Sequence, residues 1–147
     1  MTEYHFQYHG ACDCGAVRLV YHCNAALDEL QARACQCDYC RPAGLSYLSE
    51  PASRLQVLVR DMRYLYAQTF ATATAEFMHC AVCNHAVYVR SEIEGNSYAL
   101  VVAQTLAGWP LPIQVLPKDF GTESVADRLQ RRRANWIGQL EETVDAG

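Results

Sequence analysis

Seven cysteines stand in three tight groups along this chain: Cys12 with Cys14, then Cys35, Cys37 and Cys40, then Cys80 with Cys83. An eighth, Cys23, stands alone. Eight cysteines in 147 residues are many for a chain that opens MTEYHFQYHGAC, with neither the basic start nor the apolar run of a secretory signal. The expected compartment is the cytoplasm, where closely spaced thiols serve metal binding or catalysis rather than a disulfide framework. Zinc suits the pattern. Thiolates at about 2.3 Å fit a small tetrahedral ion, and two ligands a few residues apart can grip it from one turn. The residue after such a turn often takes positive φ so that backbone N–H groups can face the sulfurs. Gly15 is suited to that role and Asn84 tolerates it.

Seven ligands divide most simply into four and three. Cys12, Cys14, Cys80 and Cys83 would close a structural site whose binding energy, on the order of 10 kcal/mol, becomes folding energy. Cys35, Cys37 and Cys40 would form a second site with its fourth place open, the form of catalytic zinc. Two other partitions remain. Cys37, Cys40, Cys80 and Cys83 could build one zinc ribbon, leaving Cys12, Cys14 and Cys35 unused; or Cys23 or a histidine could seal the Cys35 group. Taken alone, Cys23 reads as a small buried hydrophobe. His5 and His9 share the polar face of a first strand and are expected in solvent. His79 and His85 bracket the last cysteine pair and are expected behind the ligands, or in solvent, rather than on the metal. Arg41, directly after Cys40, either offsets the negative charge of a thiolate site and holds a carboxylate of an incoming ligand, or is an ordinary surface arginine. Tyr39 would wall the site or merely pack.

These groups need short strands and turns to position them. Tyr4, Phe6 and Tyr8 alternate with His5 and Gln7, and Val17, Leu19 and Tyr21 with Arg18 and Val20, the period of half-buried strands. Further strands are expected over 45–49, 54–60 (Leu55, Val57 and Val59 on one face), 63–67 and 75–79. The clearest hairpin joins 86–91 to 97–103 through Glu94-Gly95-Asn96, where Gly95-Asn96 can supply positive φ. A short helix is expected over 25–33. The prolines of 109–117 argue against regular ladders there. Ser124 and Asp127 resemble a capping box, and Val125, Leu129, Trp136, Ile137, Leu140 and Val144 recur at helical spacing, so an amphipathic C-terminal helix is expected. The expected organisation is a zinc-binding β domain over 1–108 and an extension over 109–147 packed on it.

Composition removes other classes. Hydrophobic residues make up 51% and charged residues 19%, ordinary for a globular core. No stretch approaches about 18 uninterrupted apolar residues, so no membrane partner is expected. Twelve basic residues against sixteen acidic, net −4, lack the basic excess of nucleic-acid binders. The cluster Arg131-Arg132-Arg133 reads as a solvated helix face beside Asp127, Glu141 and Glu142. No Ser/His/Asp signature, phosphate-cradling loop or HExxH is present.

The runs GACDCGAV, CQCDYCRPAG and HCAVCN resemble the family of the glutathione-dependent formaldehyde-activating enzyme and centromere protein V, over roughly residues 8–103. The seven cysteines, Arg41 and Gly44 fall in register with its C-x-C-G, C-x-C-x-x-C-R-x-x-G and C-x-x-C-G pattern; Asn84 replaces the last glycine, and Pro42 a common second basic residue. The resemblance implies a mostly β, Mss4-like fold of zinc-stapled antiparallel sheets. It also implies two zinc ions per chain in the four-plus-three partition. Carbon–sulfur lyase chemistry follows by similarity: addition of a thiol such as glutathione to formaldehyde or another small aldehyde, Arg41 contributing to substrate binding. The cysteines would be ligands, not nucleophiles. The alternative is a non-catalytic zinc-stapled binding module of Mss4-like type. It is disfavoured because the chain lacks the basic or proline-rich extensions of centromere-type members. A metal store is disfavoured by the fixed, widely separated ligand groups. The pattern is compatible with a homo-oligomer.

Overall fold

The structure, a computed structural model, describes residues 4–35, 44–69, 75–118 and 124–144. Among them, β1 (Phe6–Ala11), β2 (Val17–Cys23), β5 (Arg54–Val59) and β11 (Gln139–Val144) form a four-stranded sheet in that order. A seven-stranded sheet runs in the order β10 (Gln114–Lys118), β3 (Gln31–Cys35), β4 (Tyr47–Leu48), β9 (Asn96–Val102), β8 (Ala86–Ile93), β7 (Glu76–Cys80), β6 (Leu65–Thr69). A helix, α1 (Val125–Asn135), follows β10. The mostly β expectation holds, with one correction to the antiparallel sheets. β10 lies parallel to β3 and β11 parallel to β5, so each sheet ends in one parallel edge strand supplied by the C-terminal part of the chain. Parallel pairing needs a long connection rather than a tight turn, and the distance in sequence between partners provides it.

Alternation explains the burial. Val17, Leu19 and Tyr21 of β2 and Leu55, Val57 and Val59 of β5 are fully buried; they meet Ala32, Met78, Ala99 and Val101 of the larger sheet in one core between the sheets. The other face of the larger sheet packs Tyr47, Val89, Leu100 and Val102 with Trp136, just after α1. β9 is thus apolar on both faces and reads as a nearly unbroken hydrophobic run.

Five local expectations change. Residues 25–33 form no α-helix: a single 3₁₀ turn at Leu27–Glu29 leads straight into β3, because Ala32 is drawn fully into the core. In the β8–β9 hairpin the positive φ angles fall on Glu94 (51°) and Gly95 (82°), and Asn96 already opens β9. That is the two-residue turn whose central positions both need positive φ. Pro117 does lie in a strand, but β10 is an edge, where a missing N–H breaks no internal ladder.

The C-terminal periodicity divides between two elements. Ser124 caps α1, its Oγ accepting from the Asp127 N–H at 3.2 Å. The helix stops at Asn135 rather than running through Val144. Trp136 is extended, Ile137 pairs with Ala99 through N–H···O bonds of 2.9 and 3.0 Å, and β11 follows. Arg132 is not solvated either. It is buried, its guanidinium 5.0 Å from the Trp136 ring centroid and its Nη1 donating to Ser91 Oγ at 3.3 Å. Among the described residues no helix is long and apolar enough to cross a membrane.

Ile137, fully buried where the two sheets are tied together, should behave as a core residue. Ile137→Ala is expected to cost about 2–5 kcal/mol in urea unfolding, whereas an exposed position of α1 such as Val125→Ala should cost almost nothing.

Candidate metal centre

Two hairpin tips, one from each sheet, meet at the edge of the core. The first is the β1–β2 turn holding Cys12 and Cys14; the second is the β7–β8 turn holding Cys80 and Cys83. In the first, the Cys12 N–H donates to the Val17 carbonyl at 3.0 Å and the Gly15 N–H to the Cys12 carbonyl at 3.1 Å, with Gly15 at φ 77°. In the second, the Cys80 N–H donates to the His85 carbonyl at 2.9 Å and the Asn84 N–H to the Cys80 carbonyl at 2.8 Å, with Asn84 at φ 64°. Gly15 and Asn84 therefore both take the left-handed conformation expected of them. Each turn directs a backbone N–H at a sulfur: Val17 at Cys12 and Val82 at Cys80, both at 3.4 Å.

The four sulfurs lie within 4.8 Å of one another. Cys12 and Cys14 are 3.6 Å apart, and Cys14 and Cys80 3.5 Å. An ion bound tetrahedrally by thiolates at about 2.3 Å holds its sulfurs about 3.8 Å apart, so the cluster has the size of a four-sulfur metal cage. Cys12 and Cys80 are buried, Cys83 is half-buried and Cys14 faces solvent. The electrostatics match. Burial pushes the Cys12 thiol up to about 12, against the pull of the Val17 N–H. Cys80 is raised as well, burial again coming first. At Cys83 burial opposes ionisation, but the N–H groups of Cys14 and His85 and the neighbouring thiols outweigh it and bring the pKa down to about 6. Four thiolates so close together need a cation.

The surroundings brace the two turns against each other. His85 Nε2 and Asp13 Oδ2 are 2.7 Å apart, joining the residue between the first two cysteines to the loop of the second pair. The Tyr66 hydroxyl bonds Asn84 Oδ1, and the Ala81 N–H donates to the Tyr64 carbonyl at 2.7 Å. His79 is buried rather than solvated: its ring stacks on Tyr66 at 5.1 Å, its Nδ1–H donates to the Phe77 carbonyl at 2.9 Å, and burial lowers its pKa. Asp13 and Tyr66 went unread in the sequence. Asp13 sits between two cysteines at ligand spacing, the one signal its place in the sequence offers; Tyr66 reaches Asn84 only through the β6–β7 pairing.

The other site residues fall as follows. Cys23 is fully buried in the core with its Sγ 3.7 Å from the Ala25 carbonyl, and it is not in the four-sulfur cluster. His5 and His9 are exposed as expected. Cys35 ends β3, its backbone paired with Lys118. Cys37, Tyr39, Cys40, Arg41 and Pro42 lie outside the described residues.

The family profile described as glutathione-dependent formaldehyde-activating enzyme matches residues 7–115, most of the chain and both hairpin tips. This chain belongs to that family. The two sheets and single C-terminal helix are consistent with the Mss4-like fold of formaldehyde-activating family members. A Rhodobacter sphaeroides protein of known crystal structure is similar at 21% identity and a TM-score of 0.49, covering 92% of this chain and 99% of that one. No curated protein matches the chain.

Two outcomes are expected at this centre. Asn84→Ala should cost about 1–2 kcal/mol, since a Cβ without a local hydrogen bond is disfavoured at φ 64°. Asn84→Gly should cost only what its bond to Tyr66 contributes; urea unfolding of the metal-loaded protein separates the two. Acid should release the metal, because protons compete for thiolates and a fall in pH shifts that competition one way. A chromophoric chelator should therefore report release that increases as the pH falls.

Proposed function

We propose that the protein is a cytoplasmic zinc enzyme of carbon–sulfur lyase type, acting on the adduct of a thiol, glutathione foremost, with a small aldehyde such as formaldehyde. The observation that carries this reading is the division of the cysteines. Four converge on one cage, and three more, Cys35, Cys37 and Cys40, remain in the sequence at ligand spacing. In this proposal Cys12, Cys14, Cys80 and Cys83 hold a structural zinc, and Cys35, Cys37 and Cys40 hold a second. A zinc ion held there by three thiolates would lower the pKa of an incoming thiol. Family membership supports the substrate class.

The reaction balances simply. The thiol sulfur forms a bond to the carbonyl carbon, the π pair moves onto oxygen, and the proton lost by sulfur ends on that oxygen as an S-hydroxyalkyl adduct. The reverse is carbon–sulfur cleavage. No oxidant or reductant is needed. Within this scheme the seven cysteines stay ligands, and Arg41, next to Cys40, offsets thiolate charge and holds a carboxylate of the thiol substrate. Residues 1–108 carry both groups, and 109–147 form an extension whose strands β10 and β11 join the two sheets.

Metal analysis should return two zinc ions per chain, with added glutathione perturbing only one, read by cobalt-substituted absorption. Cys35→Ser should leave the protein folded but abolish that response and adduct formation. Cys80→Ser should cost solubility. Equal unfolding by both substitutions would overturn the catalytic assignment and favour the non-catalytic binding module.

A further inference from the structure

The four sulfurs of the cage are not equally guarded. Cys12 and Cys80 are buried, and each faces a backbone N–H at 3.4 Å, from Val17 and Val82 respectively. Cys83 is half-buried and faces two, from Cys14 and His85. Of the four, only Cys14 is exposed. Among the described residues no N–H is directed at its sulfur, whose neighbours are the sulfurs of Cys80 at 3.5 Å and Cys12 at 3.6 Å. An N–H pointed at a thiolate stabilises its charge, and nucleophilicity falls together with basicity. Burial adds a second protection, since a reagent from solvent must wait for local opening. Cys14 has neither.

We propose that Cys14 is an oxidative modification site through which the cage gives up its ion, with Cys80 as the partner that closes a disulfide onto it. This rests on the four cysteines holding a metal ion, as proposed above. The oxidant is hydrogen peroxide. The Cys14 thiolate attacks one peroxide oxygen, the O–O bond breaks and hydroxide leaves, so that Cys14 becomes a sulfenic acid. The Cys80 thiolate then attacks the Cys14 sulfur, the S–O bond breaks and a second hydroxide leaves as the disulfide forms. Two thiolates have passed two electrons to one peroxide, each hydroxide takes up a proton to give water, and two ligands are gone.

Cys80 is the better partner although Cys12 is almost as near. A bond from Cys12 to Cys14 would close a ring across one residue, the strained and easily reduced kind. A bond from Cys14 to Cys80 spans 66 residues and joins the hairpin tips of both sheets. A cross-link over so long a loop restrains the unfolded chain strongly. Oxidation thus exchanges an ionic clasp between the tips for a covalent one, and the metal leaves while the two sheets stay tied.

The test treats the reduced, metal-loaded, full-length protein with rising hydrogen peroxide in the presence of dimedone, which traps sulfenic acids. Among the four cage cysteines, tandem mass spectrometry should find the label first on Cys14. Without dimedone, non-reducing peptide mapping should find Cys14 joined to Cys80, in step with metal release to a chromophoric chelator. The oxidised, metal-free protein should then unfold about 5 °C or more above the reduced protein stripped by chelator. Cys14→His keeps a ligand atom at that place without an oxidisable sulfur. It should leave Cys12, Cys80 and Cys83 reduced at peroxide doses that oxidise the native cage; should it not fold, the order of labelling on the native chain decides alone. Label arriving first on Cys12, Cys80 or Cys83 of a loaded protein overturns the inference and leaves the metal cage standing. A Cys12–Cys14 disulfide overturns the part given to Cys80. Reduced protein that binds no metal overturns the cage, and this inference with it.

Discussion

The four-sulfur cluster, with the His85–Asp13 pair beside it, is the contact on which the mutual position of the two sheets at this edge depends. Cys12 and Cys14 come from the hairpin of the smaller sheet, Cys80 and Cys83 from a hairpin of the larger one. A single ion held by both tips would join elements some seventy residues apart in sequence. Closing so long a loop costs chain entropy that local interactions do not repay, so a metal bound there would act as a long-range cross-link. The buried thiols make the dependence sharper. Cys12 and Cys80 resist ionisation by themselves, and only a cation makes four thiolates at this spacing tolerable.

Beyond the cage, the chain's last segment completes both sheets. β10 and β11 enter as parallel edge strands on either side of α1, and Ile137 ties the core of the smaller sheet to β9. A polar network at β8 and β11 reinforces the join. Arg90 Nη1 donates to both Glu142 oxygens at 2.9 and 2.7 Å and its Nε to Glu76 at 2.9 Å, while the Tyr88 hydroxyl also bonds Glu142. Such a network, with each charge partnered, positions a strand more specifically than apolar contact alone. The end of α1 then serves two faces: Trp136 and Arg132 cover the outer side of the larger sheet, and Asn135 and Arg131 border a cavity beside β3 and β4.

Much of this was legible residue by residue. Period-two alternation located β2 and β5 because each has one face in the core, and turn chemistry located the β8–β9 hairpin to within one position. The cysteine spacing pointed to the four cysteines that converge, since tetrahedral sulfur ligation imposes short local separations that survive in sequence. What went unread depended on distant partners. Ala32 makes β3 a strand only because the core needs it, and the run from Trp136 to Val144 satisfied a helical period although Gln139–Val144 pairs with β5.

The sequence by itself determined the family, the mostly β class and the cysteines able to share a metal, because ligand chemistry and side-chain alternation are written in short spacings. Tertiary structure alone decided that the last third of the chain ends in a strand. It also decided that Arg132 is buried, that His85 meets Asp13, and that Arg33 and Arg131 face one hollow. Each of those outcomes follows from contacts across tens of residues, where the free energy of burial and pairing overrides local preference and leaves no periodic mark.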